Sequence, residues 1–363
     1  MKRKLSLLAL LMLGAVSTLH AQEETETKNP LKISGYAEVY YQYDFNNPEN
    51  NTRPGFVYSH NRNNEVNLNL GFVKANYETE KLRANIALGV GTYMNSNYAA
   101  EPGVLKNIYE ANVGVKISKS KNLWIDAGIL PSHIGFESAI SKDCFTLTRS
   151  ILADNSPYFE SGAKISYTSD NGKWFISGLI LNGWQRIQRV DGNSTVAFGH
   201  QLTYKPTEKI TLNSSSFIGN DKPDSIRQMR YFHNLYGIFQ LADNFALTTG
   251  FDIGAEQKSK GSNQYNIWYS PVVIARYSPT QKLSVAARGE YYQDKNGVII
   301  ATGTENGFQT FGYSFNVDYW ILPNLVWRTE VKSLNSKDHI FLYRDNEFRK
   351  NNFSAVTSLA VSF

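Results

Sequence analysis

From residue 31 onward, apolar and polar residues alternate with period two along almost the whole chain, and the alternating runs are long. In the first run Leu31, Ile33, Ala37, Val39, Tyr41 and Tyr43 fall on one face. Lys32, Ser34, Tyr36, Glu38, Tyr40, Gln42 and Asp44 fall on the other. Successive side chains of a strand point to opposite sides, so the pattern predicts a strand with one greasy and one polar face. Ordinary strands have five or six residues. About thirteen, at roughly 3.3 Å each and tilted about 40°, rise about 33 Å, the depth of a membrane.

The pattern returns along the chain. Leu82, Ala84, Ile86, Leu88 and Val90 carry it, as do Tyr109, Ala111, Val113, Val115 and Ile117. Leu283, Val285, Ala287, Gly289 and Tyr291 repeat it, and so do Phe311, Tyr313, Phe315, Val317 and Tyr319. About sixteen such segments begin near residues 31, 64, 82, 107, 122, 158, 172, 196, 208, 228, 244, 265, 281, 307, 324 and 351. The phase is ambiguous at Gly71 to Tyr77 and Trp174 to Asn182, where a bulge would shift it, so fourteen or eighteen strands also fit.

The connections alternate as well. Thr79 to Lys81, Ser118 to Lys121, Ser169 to Gly172, Lys205 to Glu208, Ala242 to Asn244, Ser278 to Thr280 and Leu322 to Asn324 are short, as hairpin turns require. Between them lie long connections: Phe45 to Asn63, Ser96 to Lys106, Pro131 to Pro157, Gln185 to Thr195, Gly219 to Arg227, Lys258 to Gln264, Asp294 to Asn306 and Asn335 to Lys350. Short turns on one rim and long loops on the other predict an all-β fold, a transmembrane antiparallel up-and-down β-barrel of about 16 strands. Its turns would face the periplasm and its long loops the cell exterior. In hydrocarbon each unpaired backbone group costs several kcal/mol, so the sheet must close, with the strand from Leu31 against the strand ending at Phe363. Side chains cannot fill a ring of about sixteen strands, which predicts a polar, water-holding interior. Phe353, Ala355, Leu359, Val361 and the terminal Phe363 share one face of the last segment, an ending suited to the outer-membrane assembly machinery.

Composition sharpens this picture. Twenty-two Tyr, 20 Phe and 6 Trp sit in a chain that is otherwise polar, as expected of aromatic girdles around a wet lumen. Lys2, Arg3 and Lys4 precede the apolar run Leu7 to Val16, and small residues lead to Ala21, so residues 1–21 read as a cleavable signal peptide. Residues 22–30 read as an acidic periplasmic leader, and 31–363 as the barrel. Removing three positive charges takes the net charge from +5 to +2, which argues against nucleic acid as a partner. The lone Cys144 makes neither an internal disulfide nor a metal cluster. Outer-membrane lipid and small polar solutes are the expected partners. Barrels of this size are commonly trimeric, but no interface signature is legible, so homo-oligomerisation stays open.

Two groups of residues are candidates for function. The longest loop, 131–157, carries Glu137, Lys142, Asp143, Arg149 and Asp154, and its Ser138 to Arg149 portion suits a short helix or a fold-back segment. Folded into the lumen, it would narrow the pore; on the surface it would be a solvated loop. The alternation also assigns fifteen charges to the lumen: Glu38, Arg83, Glu110, Asp126, Glu160, Lys164, Arg230, Asp252, Arg276, Arg288, Glu290, Asp318, Arg328, Glu330 and Lys332. Their mixed signs predict weak ion selectivity, with most serving as pairs that keep the wall wetted and rigid. Tyr36, Tyr40, Tyr93, Tyr292 and Trp268 form a weaker candidate, an aromatic track for sugars. His60, His133, His200, His233 and His339 show neither metal spacing nor a marked nucleophile. No catalytic residue, metal or cofactor is expected, and the chain does not read as an enzyme.

Several short motifs resemble the OmpL-like β-barrel porin family of Gram-negative bacteria. They are Ser34-Gly35-Tyr36, Asp126-Ala127-Gly128-Ile129-Leu130-Pro131-Ser132, Ile134-Gly135-Phe136-Glu137-Ser138, Pro157-Tyr158-Phe159-Glu160-Ser161-Gly162 and Asn182-Gly183-Trp184. The resemblance implies an outer-membrane porin passing small hydrophilic solutes by passive diffusion, and it supplies no catalytic residues. The alternative reading is a surface-exposed barrel that binds a ligand or partner protein through its outer loops.

Overall fold

The computed structural model describes residues 29–363. The signal peptide expected over 1–21, and the leader up to residue 28, lie outside the described residues. The strands are β1 (Leu31–Asp44), β2 (Glu65–Glu78), β3 (Leu82–Val90), β4 (Ile108–Lys116), β5 (Asn122–Pro131) and β6 (Phe159–Thr168). Next come β7 (Trp174–Leu181), β8 (Ala197–Thr207), β9 (Ile210–Gly219), β10 (Arg230–Ala242), β11 (Phe245–Gln257) and β12 (Tyr265–Tyr277). The chain closes with β13 (Leu283–Asp294), β14 (Phe308–Leu322), β15 (Leu325–Ser336), a small hairpin of β16 (Phe341–Leu342) and β17 (Phe348–Arg349), and β18 (Asn351–Ser362). Apart from the hairpin, each strand pairs antiparallel with its neighbours, and β18 returns to β1, giving a closed barrel of sixteen strands.

Closure leaves no edge, so no strand backbone meets lipid unpaired. The seam runs from Tyr36 opposite Ser362 to Asp44 opposite Ser354. Beyond it, Gly35 and Phe363 exchange both backbone hydrogen bonds, at 2.8 and 3.1 Å. The Phe363 ring occupies the space that a side chain on residue 35 would need, so this close approach requires glycine.

Alternation sorts the side chains as physics demands. Val39, Ile86, Val113, Ile176, Val273 and Phe315 face outward and are exposed, while Glu38, Asn112, Asp126, Arg288 and Asn316 are buried inside. Four details depart from the sequence reading. β3 ends at Val90, because Gly91 takes φ 118° close against the backbone of Leu68 and Asn69. The outer connection therefore begins there and opens with helix α1 (Thr92–Asn97). The pattern at Lys205 to Thr207, read as a turn, continues β8. The bulge expected within Gly71 to Tyr77 lies just before it, where the β1–β2 register shifts between Glu38 and Val39. No shift occurs along β7, where outward-facing Gly178 had obscured the phase.

Candidate functional site: the loop held across the lumen

Pro131 ends β5, and the segment from Ser132 to Tyr158 does not spread over the surface. It is anchored to inward-facing groups around the barrel. On one side Ser141 Oγ donates to Glu38 Oε1 of β1 (2.6 Å) and lies 3.1 Å from Tyr36 Oη. Elsewhere Ser215 Oγ of β9 donates to the His133 carbonyl (2.7 Å), and the Gly135 amide donates to Asn234 Oδ1 of β10 (3.2 Å). Three strands round from β1, the Leu147 amide donates to Asn316 Oδ1 of β14 (3.0 Å). A segment tied to β1, β9, β10 and β14 together must cross the lumen.

The loop's conformation follows from its own polar groups. Arg149 is fully buried and donates to the carbonyls of Ser138 (2.6 Å), Leu147 (2.8 Å) and Ala139 (2.9 Å), folding the loop back on itself. Ser150 then caps helix α2 (Ile151–Asp154), accepting from the Ala153 amide. Two carboxylates satisfy further amides at this helix start: Glu137 accepts from Ser150 N (3.1 Å) and Glu290 from Ile151 N (2.6 Å). The fold-back expected over Ser138 to Arg149 is present, with a 3₁₀ turn at Ser141–Asp143.

Between loop and wall lies a compact charge cluster. Arg288 donates to Thr146 Oγ1 (2.9 Å), the Thr148 carbonyl (2.7 Å), Thr148 Oγ1 (2.8 Å) and Glu330 (2.9 Å). It also stands 3.3 Å from Glu290 and 3.8 Å from Glu137. Lys332 pairs with Glu290 (3.0 Å) and donates to the Arg149 carbonyl (3.1 Å). Arg328 pairs with Asp318 (2.6 Å) and donates to the loop carbonyls of Ser141 and Cys144. Every guanidinium here thus bridges the wall to the loop backbone, an arrangement suited to its forked donors.

The other lumen candidates are spread along the wall. Arg83 makes a bidentate pair with Asp126 (2.6 Å to each oxygen) over the Trp124 ring, and Lys74 pairs with Glu110 (2.5 Å). Glu160 meets His133, Asp252 accepts from Asn234, and Lys164 is half-buried. Arg276 donates to Ser284 (3.2 Å) beside Phe145. Arg230 pairs with Glu256 (2.7 Å) and Asp221 (3.3 Å) against Trp184 and Trp268. Of the five loop residues singled out, Glu137, Arg149 and Asp154 are buried in the packed region, whereas Lys142 and Asp143 pair with each other at a partly exposed position.

Burial sets the protonation of the loop's acids. It pushes Asp154 up to about 6 despite the opposing pull of Lys332 and Arg149. It raises Glu137 too, against the attraction of Arg288. His133 is also raised: burial disfavours its charge, but Glu160 and the Ser216 carbonyl prevail. Those two partners sit 2.6 Å from Nδ1 and 2.8 Å from Nε2, and both can only accept, so both ring nitrogens carry protons.

One expectation needs correction. The interior is not polar throughout. Leu179, Leu181, Phe217, Phe232, Trp268, Tyr292, Phe308 and Leu334 face inward near the long-loop ends of their strands. With Phe56, Ile134, Ile151, Ile300 and Phe341 from the loops they form one apolar cluster, because folded-in loops need a dry surface to pack on. Tyr36, Tyr40, Tyr93, Trp268 and Tyr292, the suggested sugar track, are all buried and present no ring face to a lumen. Two cavities of about 780 and 340 Å³ remain at the long-loop end, sharing Tyr58, Asn155 and Ile299. Sequence reading missed the apolar inner wall and the serine and threonine tethers. The former was detectable, since each residue lies in the lumen phase of its strand. Among the described residues no group of three or more His, Cys, Asp or Glu could hold a metal ion.

A closed sixteen-stranded wall, apolar outside and crossed inside by its longest loop, defines an outer-membrane barrel of the porin type. The chain belongs to the family described as "Putative beta-barrel porin-2, OmpL-like", whose model matches residues 30–363. No curated protein matches it in sequence. In fold it is similar to the outer-membrane-expressed OmpT of Vibrio cholerae, with 10% identity, 92% of this chain and 97% of that one covered, and a TM-score of 0.59. An anion-selective porin from Comamonas acidovorans gives 8%, 92%, 99% and 0.58, and the outer-membrane channel DcaP of Acinetobacter baumannii gives 12%, 92%, 97% and 0.56. Family and neighbours place the chain in the Gram-negative outer membrane as a porin-type channel.

Proposed function

We propose that this barrel lets small hydrophilic solutes cross the outer membrane passively, along a hydrated path between the loop 131–157 and the lumen wall. The observation that carries the reading is the loop itself, tied across the lumen by Arg288, Arg328 and Lys332 so that it narrows the barrel. Glu137, Arg149 and Asp154 would set the shape of this constriction, and Lys142 and Asp143 its accessible charge. Because the lumen charges lie in mixed, mutually compensated clusters, the path would discriminate by size more than by sign. The carboxyl-terminal strand ending at Phe363 is the element we assign to recognition by the assembly machinery. Liposomes containing the protein should swell in isotonic solutions of small sugars and not of large ones. Liposomes that never swell, combined with retention of a ligand by the outer loops, would favour a binding barrel instead.

A further inference from the structure

The smaller of the two cavities, about 340 Å³, lies at the long-loop end between five loops and the start of β10. It has room for about eleven waters, and so for a solute with a similar number of non-hydrogen atoms. Two side chains of opposite charge line it, Asp154 from the loop 131–157 and Arg186 from the connection between β7 and β8. Neither is neutralised. Asp154 is buried, and the one hydrogen bond to its carboxylate among the described residues comes from Ser59 Oγ, at 3.3 Å. The cations that face it are engaged elsewhere: Lys332 with Glu290 (3.0 Å), Arg149 with three loop carbonyls, and His60 with Glu38 (3.1 Å). Arg186 is half-buried and makes neither a hydrogen bond nor an ion pair among the described residues. The acids at its edge of the cavity are already held, Asp221 and Glu256 by Arg230 and Glu256 also by Lys222 (3.0 Å). A shielded charge without a partner is unfavourable, and here two of opposite sign share one cavity without meeting.

Both charges are presented by fixed backbone. Asn155, next to Asp154, donates to the carbonyls of Phe56 (3.1 Å) and Ile151 (2.8 Å). Across the cavity the Trp184 amide donates to Asp221 (2.9 Å). The Gln185 side chain is gripped twice, accepting from the Tyr158 amide (2.8 Å) and donating to the Asn97 carbonyl (3.2 Å). Gln185 also takes φ 53°, a left-handed conformation uncommon outside glycine, immediately before Arg186. Polar groups held in place before a ligand arrives are what a binding cavity requires.

We propose that this cavity is a subsite for small zwitterions, amino acids or dipeptides, with the ammonium at Asp154 and the carboxylate at Arg186. The forked donors of a guanidinium suit a carboxylate. The Trp184 indole N–H and the Tyr58 hydroxyl, which make no hydrogen bond among the described residues, supply further polar contacts, and Val298 and Ile299 face the apolar part of the solute. Binding here does not require permeation. Its use as a station on the way in rests on the passive path proposed above.

Calorimetry on the folded barrel in detergent can compare glycylglycine with N-acetylglycine, which keeps only the carboxylate, and glycinamide, which keeps only the amine. Glycylglycine should bind about tenfold to a hundredfold more tightly than either, the difference made by one charge-assisted contact. Arg186→Gln should lower glycylglycine to the level of glycinamide and leave glycinamide unchanged. Asp154→Asn should lower it to the level of N-acetylglycine and leave N-acetylglycine unchanged. Heat-modifiable gel mobility reports whether each variant has folded. Equal binding of the three compounds by the unaltered protein, or no binding of glycylglycine, overturns the proposal. So do variants that keep the preference, or that weaken all three compounds alike, as a loosened loop would. Liposome swelling in glycylglycine separates this subsite from passage: binding without swelling upholds the subsite and sinks the passive path, and swelling without preferential binding does the reverse.

Discussion

Arg288 holds the loop 131–157 to the wall, and replacing it with alanine isolates that role. The change removes donors to Thr146, Thr148 and Glu330 and leaves Glu137, Glu290 and Glu330 buried, with only Glu290 keeping its ion pair to Lys332. Removing one partner of a buried ionic cluster costs about 3–5 kcal/mol, because the charges left behind have lost their compensation. The sixteen-strand ladder is untouched, so the penalty falls on loop docking. At about 1.4 kcal/mol per tenfold, the undocked loop becomes roughly a hundred- to several-thousand-fold more populated. Trypsin reads this population directly, since Arg149 is wholly buried when the loop is docked and cleavable when it is not. The Arg288→Ala barrel should keep its heat-modifiable mobility while being cut after Arg149 far faster than the unaltered protein. Equal cutting rates with the barrel intact would refute the reasoning, for the loop would then be held by something other than this cluster.

Other expectations follow from the same contacts. Asp154 is raised to about 6 from 3.8 and so holds its proton more tightly in the docked loop, and docking should weaken as pH rises from about 4 through 6. His133, also raised, acts in the same direction, its contribution being lost as pH climbs through its folded value. Tryptic cutting of the loop should therefore be slower at pH 5 than at pH 7.5, and Asp154→Asn should flatten most of that difference. Lys332, Arg149, Glu137 and His60 face Asp154; burial raises Glu137 as well, so it acts in the same direction, and cutting that is faster at pH 5 than at pH 7.5 would count against the assignment. Gly199 lies under the His133 ring with no room for a side chain, so Gly199→Val should expel that ring and raise loop cutting while the barrel still closes. Trp268, 1% exposed in the inner apolar cluster, should cost about 3–5 kcal/mol on truncation to alanine, read as a lower urea midpoint for the loss of heat-modifiable mobility.

The barrel was legible because membrane physics imposes a strict period on it. Each run of alternation in the sequence matches one strand of the wall, down to the seam between Tyr36 and Ser362. Pairing follows from order alone when every connection joins neighbours. Inside the lumen no such period operates. Arg288 could be placed on the inner face, but its partners Thr146 and Thr148 belong to a loop whose path is set by tertiary contacts more than 130 residues away in sequence. Loop residues carry no phase, so nothing separated buried Arg149 from half-exposed Asp143. The apolar inner wall went unread for a related reason. Phe217 and Phe232 look like girdle residues unless their phase is followed to the end of the strand, and a loop folded inward creates the dry surface they need.

Passive permeation is the centre of this account, and current through a planar lipid bilayer tests it most directly. The purified protein should add conductance in discrete steps, nearly ohmic and with little preference between potassium and chloride. Arg288→Ala should widen the steps. Bilayers that stay silent with demonstrably inserted, heat-modifiable protein would contradict it.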